Sequence, residues 1–398
     1  MPRGQGERSS STAGSRHQHR GSTPMTTTPS AVADRPHVRE TLATLVDDRV
    51  LGISLRVHDA QGEWAAAAGL AELGGTAAPS VDSHTRIGSN TKTFTAALVL
   101  LLVHEGRLGL DDSAATHLPE LGLDPRITVR MLLQQTSGVF NFTGDAAADG
   151  TWETGMPSNY GPAAREWLDA RFETHRPQDL VRFALSRAPR FEPGTRWSYS
   201  NTNYVLLRLL VENVTGRTLA DEMNRLVSGP LGLTGTVVPD ASPDLPEPHA
   251  HAYVRYEEDG QEQTVDVSRH DPSWISTGGD MISTPRDLAT FFSALLGGRL
   301  LPAALVEQMC DPYATPLPGM GYGLGVFVLE TEDGRTLVTH NGGMAGYATL
   351  MFGTPDGSTV MAAAVNCVDD PEMTIQSAFQ GLQKSLLATV FPGDGVAR

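Results

Sequence analysis

The chain has 398 residues, of which 40% are hydrophobic and 19% charged, a balance that supports a large buried core and excludes global disorder. A formal net charge of -16 repels phosphate backbones and anionic lipid, so nucleic-acid and membrane-surface binding fit poorly. Cys310 and Cys367 are the only cysteines, too few for a disulfide framework or a cysteine-based zinc site; they read as two buried free thiols or a single bridge.

Residues 1–35 are rich in Ser, Thr, Gly, Arg and His without apolar periodicity, and the segment is expected to be a disordered tail. Its run Arg16-His17-Gln18-His19-Arg20 reads as tail composition or as a weak metal-binding stretch. Ala31-Val32-Ala33 looks like a cleavage site, yet the apolar run of roughly 7 to 15 residues that a secretory signal needs does not precede it. Export is therefore not expected, a cytoplasmic location is favoured, and Met25 is an alternative start.

From Val38 the pattern becomes that of a folded enzyme. A helix is expected near Val38 to Asp48, then paired strands over Leu51 to His58 and Trp64 to Ala68. Thr91 to His104 is apolar on every face and closes at Gly106, which predicts a buried helix; it is too short for a membrane span and is bracketed by Lys92 and His104. Helical segments at Thr128 to Gln135, Arg176 to Ser186 and Tyr204 to Val214 follow, separated by Gly- and Pro-rich connections. The end of the chain returns to strands, at Gly323 to Leu329, Thr336 to His340, Ala348 to Phe352 and Thr359 to Asn366, before a helix from Met373 to Phe391. Both ends of the chain thus supply one sheet in a mixed α and β domain covering residues 36–398.

Three motifs carry the chemistry. In Ser89-Asn90-Thr91-Lys92 the hydroxyl and the amine stand one helical turn apart, so the amine can act as the base that a serine nucleophile requires. Burial lowers a lysine's pKa in the direction that role needs. The competing reading makes Ser89 a helix cap and Lys92 a surface charge. It is weakened by composition, because Lys92 and Lys384 are the only lysines in the chain. Tyr199-Ser200-Asn201 lies between a Pro-Gly connection and an apolar helix, where Tyr199 can relay a proton and Asn201 can bind substrate backbone; a loop tyrosine with Asn201 as the helix cap is the alternative. His340-Asn341-Gly342-Gly343 ends an apolar strand, and its glycines let backbone approach closely and leave the Gly343 amide free for an oxyanion beside the Ser89 amide; an ordinary strand end is the alternative.

Taken in this order, the motifs resemble the superfamily of class C beta-lactamases, D-alanyl-D-alanine carboxypeptidases and related serine esterases and D-amino-acid peptidases. The segments Ile127 to Leu133 leading to Thr136-Ser137-Gly138, Gly321-Tyr322-Gly323-Leu324-Gly325 and Thr284-Pro285-Arg286-Asp287-Leu288 are also similar to that family. The resemblance implies a beta-lactamase/transpeptidase-like fold, with an antiparallel sheet flanked by helices, a helical subdomain of roughly 105–300 inserted, and the site between them. It further implies Ser89, Lys92, Tyr199 and His340 as catalytic residues, and Asn201, Asn341, Gly343, Trp274 and Phe327 as substrate-binding residues.

Departures from the family pattern narrow the substrate. His340 replaces the lysine of class C beta-lactamases and is similar to the carboxypeptidase and esterase branch. Asn341 and Phe327 stand where that branch has a threonine and a carboxylate-gripping arginine, and neither supplies a bidentate cation. The expected activity is acyl-enzyme hydrolysis of neutral esters or D-amino-acid amides, ahead of D-alanyl-D-alanine cleavage. Acyl transfer or peptide cyclisation through the same acyl-enzyme, and a penicillin-binding sensor without turnover, are the competing functions. The partner is a small-molecule or peptide substrate, no cofactor or metal is expected, and the sequence is silent on oligomeric state. A Gly-x-Ser-x-Gly elbow is absent, His104-Glu105 lacks a second helical histidine, and His249-Ala250-His251 reads as loop.

Overall fold

The strand Val50–Asp59 is buried for almost its whole length because it lies between two neighbours. It pairs with Gly62–Gly69 on one side and with Val360–Asp369 on the other, both antiparallel. In this computed structural model, which describes residues 34–146, 151–158, 164–370 and 375–392, the two ends of the chain therefore interleave in one sheet. From Val360–Asp369 the order continues through Tyr347–Gly353, Thr336–Met344, Phe327–Glu330, Met320–Tyr322 and Tyr313–Ala314. The chain is a mixed α and β protein whose large antiparallel sheet is flanked by helices, as expected.

Period-two burial sorts the side chains of these strands onto two faces. Ile53, Leu55, Val365 and Ala363 join Val38, Leu42, Leu382 and Leu386 beneath the helices Pro36–Thr44 and Gln376–Val390. The opposite face packs on Pro285–Leu296 and on the helix Asn90–His104, whose Phe94 stacks on Phe291 with ring centroids 3.7 Å apart. Asn90–His104 buries residues from Asn90 through Leu102 without a polar stripe, matching its all-round apolar sequence.

Several elements end where local chemistry, rather than hydrophobic pattern, dictates. The first helix stops at Thr44, short of Asp48, and the segment expected over Thr128 to Gln135 is helical only for Val129–Leu133. There Thr128 caps the start by accepting from Met131 N at 3.2 Å, and Gln135 breaks the end with φ +64°. Thr336–Met344 runs through the glycines instead of stopping at His340. A hairpin, Tyr253–Glu258 with Gln261–Asp266, stands in the middle region that the sequence reads as helical.

Arg35, assigned from sequence to the tail, is buried against Asp59 in a bidentate pair at 2.7 and 2.8 Å; the rest of that segment before Asp34, like Met373, lies outside the described residues. Both cysteines are free, Cys367 buried and Cys310 partly so. No helix among the described residues is long and apolar enough to cross a membrane.

Candidate active site

Ser89 sits at the entry of the helix Asn90–His104, yet its hydroxyl makes no cap hydrogen bond. It accepts instead from the Tyr199 hydroxyl at 2.8 Å and lies 3.1 Å from Lys92 Nζ. The capping reading of Ser89 thus fails on geometry, and so does the surface reading of Lys92, which is 0% exposed. Tyr199 reaches the serine because it directly precedes the helix Asn201–Thr215, in the extended segment that places Ser200 at the cap position.

Lys92 is held from three sides. Beyond Ser89, its amine donates to Asn201 Oδ1 at 2.7 Å and to the Gly278 carbonyl oxygen. It also lies 4.7 Å from the centre of the Tyr199 ring. Gly278 can approach so closely because it has no side chain: a methyl group there would stand 3.1 Å from Asn201 Oδ1. Burial holds the Lys92 amine well below the ordinary lysine range, and the Asp280 charge opposes that shift.

The third motif packs onto this cluster through backbone. A methyl group on Gly88 would lie 2.6 Å from Gly343 N, and one on Gly342 would lie 2.9 Å from Ser89 N. Strand and Ser89 segment are thus in direct contact, and Ser89 and Gly343 both line the cleft. This explains why the strand carries glycine at 342: a side chain there would push the sheet off the Ile87–Ser89 segment. Phe327 pairs with Thr339 as the last rung on one side, while His340 to Met344 pair only with Tyr347–Gly353 on the other. The strand therefore presents an open edge beside Ser89.

His340 is buried, with Nδ1 2.9 Å from the Asn341 carbonyl oxygen and Nε2 3.4 Å from the Tyr322 hydroxyl. Burial, aided by Lys92, lowers its pKa to about 3, so it is a neutral imidazole at ordinary pH. Phe327 packs on Tyr322 at 4.6 Å and on His340 at 5.3 Å between ring centroids.

These groups line a cavity of about 740 Å³. Ser89, Tyr199, Asn201, His340, Asn341 and Gly343 all contribute to its wall, as do Trp274 and Phe327, so the expected site residues other than buried Lys92 share one cavity. Two of them are engaged differently from the expectation. Asn201, expected to donate to substrate, donates Nδ2 to Thr143 Oγ1 at 3.1 Å. Asn341 turns to the closing helix, giving Nδ2 to Gln383 Oε1 at 2.9 Å. Trp274 sits in the turn Pro272–Trp274, with its ring against Trp167 at 5.8 Å.

Sequence reasoning missed Gly278, Asp280 and Trp197. Trp197 was within reach: it stands two residues before Tyr199, and alternate residues of an extended segment share a face. Gly278 and Asp280 offer no spacing signal, because a loop about 190 residues from Lys92 carries them to it.

The family model described as Beta-lactamase matches residues 38–383. Among curated proteins the chain is 26% identical over 318 residues to penicillin-binding protein 4* of Bacillus subtilis, covering 76% of this chain and 65% of that protein. It is 26% identical over 277 residues to protein flp of Staphylococcus aureus, where it spans 68% of this chain and 50% of the relative. Among solved structures, a D-stereospecific amidohydrolase from Streptomyces sp. matches with a TM-score of 0.77 and 34% identity, over 92% of this chain and all of that one. The D-amino acid amidase from Ochrobactrum anthropi SV3, complexed with D-phenylalanine, matches with a TM-score of 0.73 over 90% of this chain and 100% of its own; at 23% identity that likeness is one of fold. The extent of the family match, together with the motifs it spans, makes this chain a member of the Beta-lactamase family of serine hydrolases.

Proposed function

We propose that the protein hydrolyses neutral D-amino-acid amides, and esters of similar shape, through an acyl-enzyme on Ser89. The observation that carries this reading is the Ser89 hydroxyl suspended between the Lys92 amine at 3.1 Å and the Tyr199 phenol at 2.8 Å, at the lip of a largely apolar cavity. A neutral amine has two N–H groups and one lone pair. Asn201 Oδ1 and the Gly278 carbonyl oxygen accept both N–H groups, which leaves the lone pair for the Ser89 proton. Lys92 is therefore the base for acylation.

In the reaction, the Ser89 proton passes to Lys92 while Oγ bonds to the substrate carbonyl carbon and the carbonyl π pair moves onto oxygen. The amides of Ser89 and Gly343 receive that oxyanion. Collapse of the intermediate breaks the bond to the leaving nitrogen, which takes the Tyr199 proton; the Lys92 ammonium then gives the proton it took from Ser89 to the phenolate. Water then repeats the sequence on the acyl-enzyme with the same groups.

Substrate class follows from the walls. Phe327 and the Asn341–Gln383 carboxamide pair flank the strand edge, and the acid Asp369 also lines the cavity. A phenyl ring, two carboxamides and an anion suit an uncharged leaving group better than a terminal carboxylate. The 34% identity to a D-stereospecific amidohydrolase supports D-configuration in the acyl part.

The test is intact-mass detection of acyl adducts, with turnover, across D- and L-amino-acid amides, aryl esters, a chromogenic cephalosporin and acyl-D-Ala-D-Ala peptides. D-amide turnover that disappears in Ser89→Ala is the expected result. Faster release of D-alanine from the peptide than of ammonia from the amides would overturn the substrate assignment.

A further inference from the structure

We infer that Asp280 is the buried counter-charge to Lys92, a positioning residue that stabilises the ammonium formed when Lys92 takes the Ser89 proton. The inference rests on the acyl-enzyme reading above and names a further part of that site.

Asp280 lies two residues beyond Gly278, the residue whose carbonyl oxygen holds the Lys92 amine. It is 0% exposed, and neither carboxylate oxygen has a hydrogen-bond partner on another of the described residues. Its nearest cation is Arg208, with Nη1 3.9 Å from Oδ2. Arg208 is already committed to Asp240 at 2.6 Å and Glu212 at 3.0 Å. A wholly buried acid with no hydrogen-bond donor beyond its own backbone amide is costly and demands a compensating charge. Lys92 supplies one each time it is protonated, and the two groups interact electrostatically.

The chemistry matches the demand of the reaction. Taking the serine proton creates a positive charge in a dry interior, which burial alone resists. A fixed carboxylate behind the base offsets that cost in the transition state, as the aspartate of a Ser-His-Asp triad does for its imidazolium. Asp280 transfers no proton itself.

The other groups facing Lys92 are accounted for. The helix Asn201–Thr215 contributes Asn201 and the Tyr204 ring, 5.6 Å away, whose hydroxyl burial pushes far up. The Tyr199 ring faces it from the segment before that helix. The sheet contributes His340, lowered to about 3, and Tyr322 stands behind His340. Asp280, which burial raises to about 6, stands on the loop that holds Lys92 through Gly278 and is the one of these groups whose charge changes in mildly acidic solution.

The lysine content makes a direct test practical. Protein labelled with ¹³Cε-lysine gives two resonances, Lys92 and exposed Lys384, which Lys384→Arg assigns. In the unmutated protein the Lys92 signal is expected to show a step near pH 6 as Asp280 titrates. Asp280→Asn should abolish that step and lower the Lys92 titration by about one pH unit or more. It should also shift the acid limb of kcat/KM downward and reduce its plateau about tenfold or more, because the base is weakened. A Lys92 titration unmoved by Asp280→Asn would overturn the inference. So would the absence of the step in the unmutated protein, a measurement that decides the matter even if the variant does not fold. Ser89 adduct formation is scored separately, so a protein with coupled Asp280 and Lys92 but no acylation would sink the hydrolase reading and leave only the charge coupling between the two residues, whereas acylation with uncoupled residues would sink the role of Asp280 alone.

Discussion

Replacing Gly88 by alanine should separate Ser89, the proposed nucleophile, from Gly343, its proposed oxyanion partner, without altering either residue. The new methyl would stand 2.6 Å from both the amide nitrogen and the carbonyl oxygen of Gly343, whereas ordinary contact begins at 3.4 Å. Both neighbours are backbone in a paired strand, so relief requires the Ile87–Ser89 segment and the strand to part by about 0.8 Å. The residue also holds φ +49°, a conformation that costs an L side chain roughly 1 to 2 kcal/mol. A displacement near 1 Å at a reacting centre lowers rates by about a hundredfold, so kcat/KM should fall by roughly 30- to 100-fold. Gly343→Ala is the matched control, because its methyl meets nothing nearer than Tyr347 O at 4.0 Å and should leave stability unchanged. Steady-state rates, acylation followed by mass, and thermal unfolding measure these outcomes together. If Gly88→Ala keeps activity within about threefold while Gly343→Ala destabilises the protein, the close-contact argument is wrong.

Tyr199→Phe removes the hydroxyl 2.8 Å from Ser89 and should lower kcat by about 10²- to 10⁴-fold with KM little changed; equal loss in both would point to misfolding. Lys92→Met should leave a folded protein that forms no acyl adduct within minutes, as read by intact mass; prompt acylation would refute its role as base. His340 has the sign of a depressed imidazole: the unfolded chain binds its proton near 6.5 and the native protein only at about 3. Stability from that residue is therefore lost as pH falls from about 6.5 toward 3, and His340→Gln should flatten the dependence of unfolding free energy on pH in that window by up to about one proton; identical slopes in urea titrations would contradict it. Arg35→Ala leaves Asp59 without its bidentate partner in a largely buried pair and should cost about 3 kcal/mol, checked by chemical denaturation.

The core of the site was legible in the sequence because its parts are local. Ser89 and Lys92 are one helical turn apart, and a buried helix at that point is dictated by Phe94, Leu98, Leu101 and their neighbours. Tyr199 was legible from its place just before another apolar helix. The sheet built from both chain ends followed from short apolar runs at each end. What escaped reading depends on distant contact. Glycines ordinarily mark the end of a strand, and only the approach of Ile87 and Ser89 shows why Gly342 lies within one. The Tyr253–Glu258 hairpin is polar and half-exposed, so it carries little of the alternation that betrays a strand. Asp280 looks like a loop acid until the fold brings Lys92 against its loop.

The placement of Val360–Asp369 between Val50–Asp59 and Tyr347–Gly353 has a consequence for biosynthesis. Among the described strands, Val50–Asp59 has only its hairpin mate Gly62–Gly69 for a partner until about 300 further residues have been made. Contacts so distant in sequence slow folding, and an unpaired apolar edge is a target for aggregation in the meantime. Translation speed and chaperone supply should therefore govern the yield of folded protein more strongly than the stability of the finished molecule.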